Sequence, residues 1–330
     1  MFAIYQKCNK TNPKHKVPSF QTNGSITAIL KNGRTFAGIF SCKKMQTNYA
    51  EPFIFMKLSA FFSICTMCTF FTLFISCKNK EVNRSDNYSF GSTPIWSEEF
   101  DYTGKPNPEK WSYDLGDHGW GNCELQNYTD RLENARVENG MLVIQARKEA
   151  SGNRSYSSAR LVNKGKGDFK YGKFEIRAKL PSGRGTWPAI WLLASQQTYG
   201  DQFWPDNGGI DLMSHVGSDQ NRVYSNVHAK TFYTEGNSMM IEGASSNYHI
   251  YTCEWTPKQI TLKIDGKINF KYKKEESYGW QEWPFDQPFH LILNTAVGGS
   301  GGGQKGVDDS IFPQNMEVDY VRVYELVEKK

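Results

Sequence analysis

From about Thr93 onward, apolar and polar positions alternate along the chain. Phe174, Ile176, Ala178 and Leu180 interleave with Lys173, Glu175, Arg177 and Lys179, the two-residue period of a strand with one wet face. Ile260, Leu262 and Ile264 lead into Asp265-Gly266, and Ile268, Phe270 and Tyr272 follow, which predicts two strands joined by a two-residue hairpin. Glu317 to Glu325 alternates again and is expected to return the C-terminus to the sheet. No segment carries a convincing helical period. Short strands punctuated by Gly, Asn and Asp turns predict an all-β fold of two packed antiparallel sheets.

The front of the chain breaks this pattern. Met56-Lys57 opens an uncharged run, Leu58 to Ile75, that contains Phe61, Phe62, Ile64, Phe70, Phe71, Leu73 and Phe74. It ends in Phe74-Ile75-Ser76-Cys77, which resembles a bacterial lipoprotein box, with Phe74 in the usual leucine position and Leu73 one place earlier. The run approaches the roughly 20 residues that span a bilayer, so an uncleaved anchor competes. Its position, single basic flank and terminal cysteine favour a signal peptide over residues 56–77 with lipidation at Cys77. Residues 1–55 precede a plausible initiator and read as a mis-started or disordered upstream extension. Residues 78–93 are polar and aperiodic, a flexible tether. That leaves 94–326 as one all-β domain.

This division changes the charge picture. The whole chain carries 39 Lys and Arg against 34 Asp and Glu, but nine of the former and one of the latter fall in residues 1–77. The remainder holds 30 and 33, close to −3, which gives no electrostatic reason to bind nucleic acid. Five of the seven cysteines lie at or before Cys77; Cys123 and Cys253 remain, with no metal-type spacing, and are expected to be unpaired thiols. All nine tryptophans lie after residue 90, a large allotment that suits a sugar-binding cleft, because indole offers a flat face to a pyranose and an N–H to its hydroxyls.

Several motifs, in order, are similar to those of family 16 glycoside hydrolases, the laminarinase and β-glucanase group. They are Trp96-Ser97-Glu98-Glu99-Phe100, His118-Gly119-Trp120-Gly121-Asn122-Cys123-Glu124, Ser158-Ala159-Arg160-Leu161, Gly185-Thr186-Trp187-Pro188-Ala189-Ile190-Trp191, Val227-His228 and Glu317-Val318-Asp319-Tyr320-Val321-Arg322-Val323-Tyr324. The resemblance covers Ile95 to Tyr324 and implies a β-jelly-roll of the concanavalin A-like lectin and glucanase type. It places Asn122, Glu124, Arg160, Trp187, Trp191 and His228 against a β-1,3-glucan or mixed-linkage β-glucan. It also implies a structural Ca²⁺ held by Glu99, the Gly140 carbonyl and Asp319, with ordinary surface acids as the alternative. No cofactor is expected.

The active-site strand of that family reads Glu-x-Asp-x-x-Glu. Here the matching segment is Gly209-Ile210-Asp211-Leu212-Met213-Ser214, so Gly209 and Ser214 stand where the resemblance puts the catalytic glutamates and only the helper, Asp211, remains acidic. Positions 209 and 211 share a face, while 214 has the opposite parity and reaches it only through a bulge. Retaining glycoside hydrolysis needs a nucleophilic carboxylate and a second acting as acid and base. The expected reading is therefore a catalytically impaired glucan binder, monomeric, exported and lipid-anchored at a bacterial envelope or surface. A working endo-β-1,3-glucanase using Asp206 or Asp211, and a structural surface protein, are the competing readings. In Gly298-Gly299-Ser300-Gly301-Gly302-Gly303 a Trp usual to the family is also missing, which removes an aromatic wall.

Overall fold

The computed structural model describes residues 87–329. Cys77, the uncharged run, the upstream extension and most of the expected tether lie outside the described residues.

Two sheets face each other. The larger runs, in hydrogen-bonded order, Lys267–Lys273, Gln259–Ile264, His249–Trp255, Gly172–Lys179, Gln314–Glu328, Met141–Ser151, Arg154–Ser158 and Gln126–Tyr128. Tyr88–Glu98 also pairs with Gln314–Glu328, and Ala135–Glu138 with Met141–Ser151. The smaller runs Glu235–Met240, Arg222–His228, Gly209–His215, Thr186–Ala194, Phe289–Val297, Arg160–Val162 and Ser112–Tyr113, antiparallel throughout. One parallel pairing, Gln126–Tyr128 with Arg154–Ser158, closes an edge of the larger sheet. The fold is the all-β sandwich that the alternation predicted.

Strand period decides what fills the space between the sheets. Burial along Gly172–Lys179 alternates strictly, sending Phe174, Ile176 and Ala178 inward. Ile190, Leu192, Ile210, Leu212 and Met213 meet them from the smaller sheet in one apolar cluster. Each such aliphatic side chain contributes about 1.5–3 kcal/mol by leaving water. Trp111, Trp255 and Trp283 are also buried in this cluster, so part of the tryptophan allotment builds core.

Three expectations are corrected. The first strand begins at Tyr88, paired with Glu328, and Phe90 lies opposite Leu326, so residues 88–93 belong to the domain and the domain reaches Glu328. Ser89, Gly91, Ser92 and Thr93 made this strand read as tether. The hairpin forms with positive φ at Asp265 (49°) and Gly266 (75°), as a two-residue turn requires, but Ile268 is 52% exposed. The register steps from Lys263↔Ile268 to Leu262↔Phe270, and the skipped Asn269 turns inward to donate Nδ2 to Ser225 Oγ at 2.9 Å. Cys253 is a free, fully buried thiol, whereas Cys123 is disulfide-bonded, so the two are not both unpaired.

Candidate functional site

The outward face of the smaller sheet floors an open cleft of about 1390 Å³. Along Thr186–Ala194, Pro188, Ile190 and Leu192 point into the core, so Trp187, Ala189, Trp191 and Leu193 necessarily point into the cleft. The neighbouring strand Gly209–His215 does not alternate. Asp211 faces the cleft, Leu212 and Met213 are both buried, and Ser214 faces the cleft again. From Asp211 to Ser214 the chain advances three residues while its partners advance two, from Asn226 to Tyr224 on one side and from Trp191 to Ala189 on the other. The expected bulge is present, and it aims 211 and 214 at the same space.

Two indoles border these positions. Trp187 donates Nε1 to Ser214 Oγ at 3.1 Å. Trp204 sits over Gly209: a Cβ there would come 2.7 Å from Cζ3 and 3.0 Å from Cη2 of its ring. The missing side chain at 209 therefore does not leave open room. At the position of the missing tryptophan, a Cβ on Gly301 would come 2.6 Å from Trp187 Cε2. Trp187 itself is the wall there.

Two acids line the cleft, Asp211 and Glu124, and both are engaged. Asp211 Oδ2 accepts from His228 Nε2 at 2.9 Å and from Asn226 Nδ2 at 3.4 Å. His228 Nδ1 lies 3.0 Å from the Tyr233 carbonyl and 2.9 Å from Thr234 Oγ1. With acceptors at both ring nitrogens the imidazolium is well served. Burial alone would push His228 down, but the Asp211 charge and these hydrogen bonds outweigh it and hold the ring above its ordinary value.

Glu124 is 5% exposed and accepts from Asn122 Nδ2 at 3.1 Å, Gln126 Nε2 at 2.6 Å and Tyr128 Oη at 3.3 Å. Burial pushes its carboxyl up against the pull of those donors. The chain continues into the floor: Asn294 Nδ2 donates to Tyr128 Oη at 3.1 Å, and Asn294 Oδ1 accepts from Trp191 Nε1 at 2.9 Å. Trp191 is thus fixed at its edge by a relay ending on Glu124. Its face is held by Arg160, whose guanidinium lies 4.9 Å from the Trp191 ring centre and 4.7 Å from that of Trp120, with Nε donating to Asp114 at 2.9 Å. A planar cation between two indoles, tethered by a carboxylate, sets the spacing of two cleft walls.

Asn122, Glu124, Arg160, Trp187, Trp191 and His228, expected from the motifs, all line this one cleft, together with Asp211 and Ser214. Asp206, the other acid considered for catalysis, is not there. It is buried beneath the loop before the bulged strand, where it accepts from Asp201 N, Gln202 N and Lys230 Nζ. Of the expected calcium ligands, Glu99 accepts from Arg322 at 3.0 and 2.7 Å, and Asp319 is paired with Arg177 through Oδ2. Among the described residues no group of three or more His, Cys, Asp or Glu is placed to hold a metal.

Trp120, Trp204, Tyr233 and Asn294 line the cleft without having been expected. Trp120 sat inside the His118 to Glu124 motif, which was the available signal for it, whereas Trp204 precedes the Gly209 to Ser214 segment and lay outside the motifs. Tyr233, at φ 56°, and Asn294, on a fully buried strand, carry no periodic signal.

A jelly-roll sandwich with an aromatic-walled cleft across one sheet, open enough for a polymer, is a polysaccharide-handling architecture. The chain belongs to the glycosyl hydrolases family 16, whose family model matches residues 124–322. It is 51% identical over 267 residues to a β-glucanase of Rhodothermus marinus, covering 78% of this chain and 93% of that one. The laminarinase structure from Rhodothermus marinus superimposes with a TM-score of 0.71 at 50% identity, covering 73% of this chain and 99% of that one. A Glu-to-Ser mutant of SCLam, a non-specific endo-β-1,3(4)-glucanase presenting 1,3-β-D-cellobiosyl-glucose at its active site, matches with a TM-score of 0.68 at 40% identity over 72% of this chain and 96% of that one.

Proposed function

We propose that this protein holds laminarin-type β-glucan without efficiently cutting it. The observation that carries the reading is the bulged strand: it brings 211 and 214 to the cleft, with 209 on the face of 211, yet offers there only the Asp211 carboxylate, already paired to His228. General acid/base catalysis contributes about 10²–10⁴-fold, and loss of the nucleophile removes a further large share. A hydroxyl at Ser214 cannot protonate a leaving sugar near neutral pH.

The surrounding groups that grip a sugar are intact. Trp187, Trp191 and Trp120 are half-buried with faces held in place, and Asn122, Arg160 and His228 supply polar edges. Stacking and hydrogen bonding need no carboxylate pair. The related SCLam mutant, with a glutamate replaced by serine, still presents an oligosaccharide at its active site. A takeover by Asp206 has no support, since Lys230 and two backbone amides occupy that carboxylate away from the cleft.

Titration calorimetry with laminarin oligosaccharides beside a reducing-sugar assay tests this. Measurable binding with no product is expected; steady cleavage, or no binding, contradicts it. The chain is further proposed to be a monomeric lipoprotein anchored through Cys77 and exposed at the cell envelope. Radiolabelled palmitate should enter the wild type and not a Cys77→Ala variant; equal labelling of both would refute the anchor.

A further inference from the structure

Two partly exposed rings lie outside both the core and the cleft. Tyr199 and Trp280 are parallel to within 3°, with centres 5.9 Å apart, and neither packs against the apolar cluster between the sheets or lines the cleft. Rings parallel at that separation form a displaced pair, in which each leaves part of its face uncovered. Their backbones are pinned. Tyr199 N donates to Asn207 Oδ1 at 2.8 Å, its carbonyl accepts from Asn207 Nδ2 at 2.9 Å, and Asn207 is fully buried. The turn that carries Trp280 is tied to the loop after Arg222–His228 by Thr231, whose N donates to the Gln281 carbonyl at 3.1 Å and whose Oγ1 donates to Glu282 at 2.9 Å. Lys230 Nζ stands 4.9 Å from the Trp280 ring centre, anchored there by the buried Asp206 at 3.1 Å. Among the described residues, Trp280 Nε1 and Tyr199 Oη make no hydrogen bond. The pair is thus held rigidly, serves no core, and keeps its polar edges unengaged.

We propose that Tyr199 and Trp280 form a second β-glucan-binding platform, separate from the cleft, which gives a long glucan a further hold on the protein. This rests on the glucan-holding reading above. The ligand is a pyranose stretch of the polymer: its apolar C–H face lies on the rings, while the indole N–H, the phenol and the Lys230 ammonium meet its hydroxyls. Because the rings are fixed before the sugar arrives, little ordering is left for binding to impose. A second contact made by a chain already held in the cleft is intramolecular, so a weak platform raises retention of the polymer without changing the affinity of the cleft for a short oligosaccharide.

Affinity electrophoresis in laminarin-containing gels, beside laminaritetraose calorimetry and thermal unfolding, tests the proposal with the wild type, Tyr199→Ala, Trp280→Ala and their double variant, and with Trp187→Ala as the cleft control. Trp280→Ala should weaken the apparent affinity for laminarin about threefold or more while its laminaritetraose affinity stays within about twofold of the wild type. Tyr199→Ala should behave alike, and the double variant should lie within about twofold of Trp280→Ala, since both rings serve one platform. Trp187→Ala should weaken binding of both ligands. Wild-type retardation of Trp280→Ala would overturn the platform while leaving the glucan-holding reading intact. A matching loss of laminaritetraose affinity together with a lowered Tm would also overturn it, because the ring would then act by supporting the cleft. A wild type that neither binds laminaritetraose nor is retarded by laminarin would overturn both.

Discussion

Restoring glutamate at both positions, Gly209→Glu with Ser214→Glu, should bring back laminarin hydrolysis with retained anomeric configuration, at a cost in stability that falls almost wholly on position 209. The bulge already turns 211 and 214 into the cleft, and 209 shares the face of 211, where a retaining pair must stand about 5–5.5 Å apart. Ser214→Glu is mild, because Ser214 only accepts from Trp187 Nε1 and a carboxylate can accept the same bond. Gly209→Glu is not. With Cζ3 of Trp204 at 2.7 Å from the new Cβ, the indole must retreat by about 1 Å to reach ordinary contact near 3.5–4.0 Å. Overpacking of this kind costs about 1–3 kcal/mol. For a domain of this size that is roughly 2–12 °C in Tm, at about 2–4 °C per kcal/mol. Calorimetric melting of the two single variants and the double, with reducing-end release and NMR of the first-formed anomer, reads both halves. Each single variant should hydrolyse far less than the pair, since the two carboxylates act as a unit. A Gly209→Glu protein that melts with the wild type would show that Trp204 is not held in place. A double variant that folds and binds laminarin yet releases no reducing ends would show that the missing carboxylates are not what prevents hydrolysis.

Other perturbations follow from the same geometry. Arg160→Lys should weaken oligosaccharide binding about 5–30-fold, because a compact ammonium cannot face both Trp120 and Trp191 while bonded to Asp114, a loss of about 1–2 kcal/mol; wild-type affinity by calorimetry would refute the clamp. Asn294→Ala should cost about 1 kcal/mol in stability and loosen Trp191, seen as a shift in tryptophan emission, since it cuts the relay to Tyr128 and Glu124; unchanged emission would sink this. His228 is held above its ordinary value of 6.5, so its protonated form stabilises the fold fully below that pH, and the contribution is lost as pH rises through the folded value. Asp211→Asn should remove that loss from a Tm-versus-pH series above pH 6.5, and equal slopes in both proteins would contradict the ion pair.

The sandwich was legible because its central strands keep strict alternation: Phe174, Ile176 and Ala178 announce both a strand and its inner face. Where a bulge adds a residue, period alone misleads, as at Asn269, which turned Ile268 outward. The bulge at Leu212-Met213 was expected only because the resemblance required 211 and 214 to share a face. The polar ladder Ser89 to Thr93 concealed an edge strand, since its pairing to the last strand depends on a partner more than 200 residues away. In the cleft, the motif positions Trp187, Trp191, Arg160 and His228 were readable one at a time. Their couplings were not. That Arg160 divides two indoles, or that Trp204 rests on Gly209, depends on side-chain approach across separate loops and strands, which no spacing encodes.

A single-turnover incubation decides whether the cleft holds or cuts: the wild-type protein in molar excess over laminaritetraose, sampled over days, with products resolved by mass spectrometry and the bound fraction followed by calorimetry. Excess protein keeps every ligand molecule in a cleft, so even a hydrolysis rate reduced by several powers of ten would accumulate shorter sugars. Retained laminaritetraose, bound and intact, is the expected result. Progressive appearance of glucose, laminaribiose or laminaritriose would show that Asp211 or Glu124 performs the chemistry assigned here to neither.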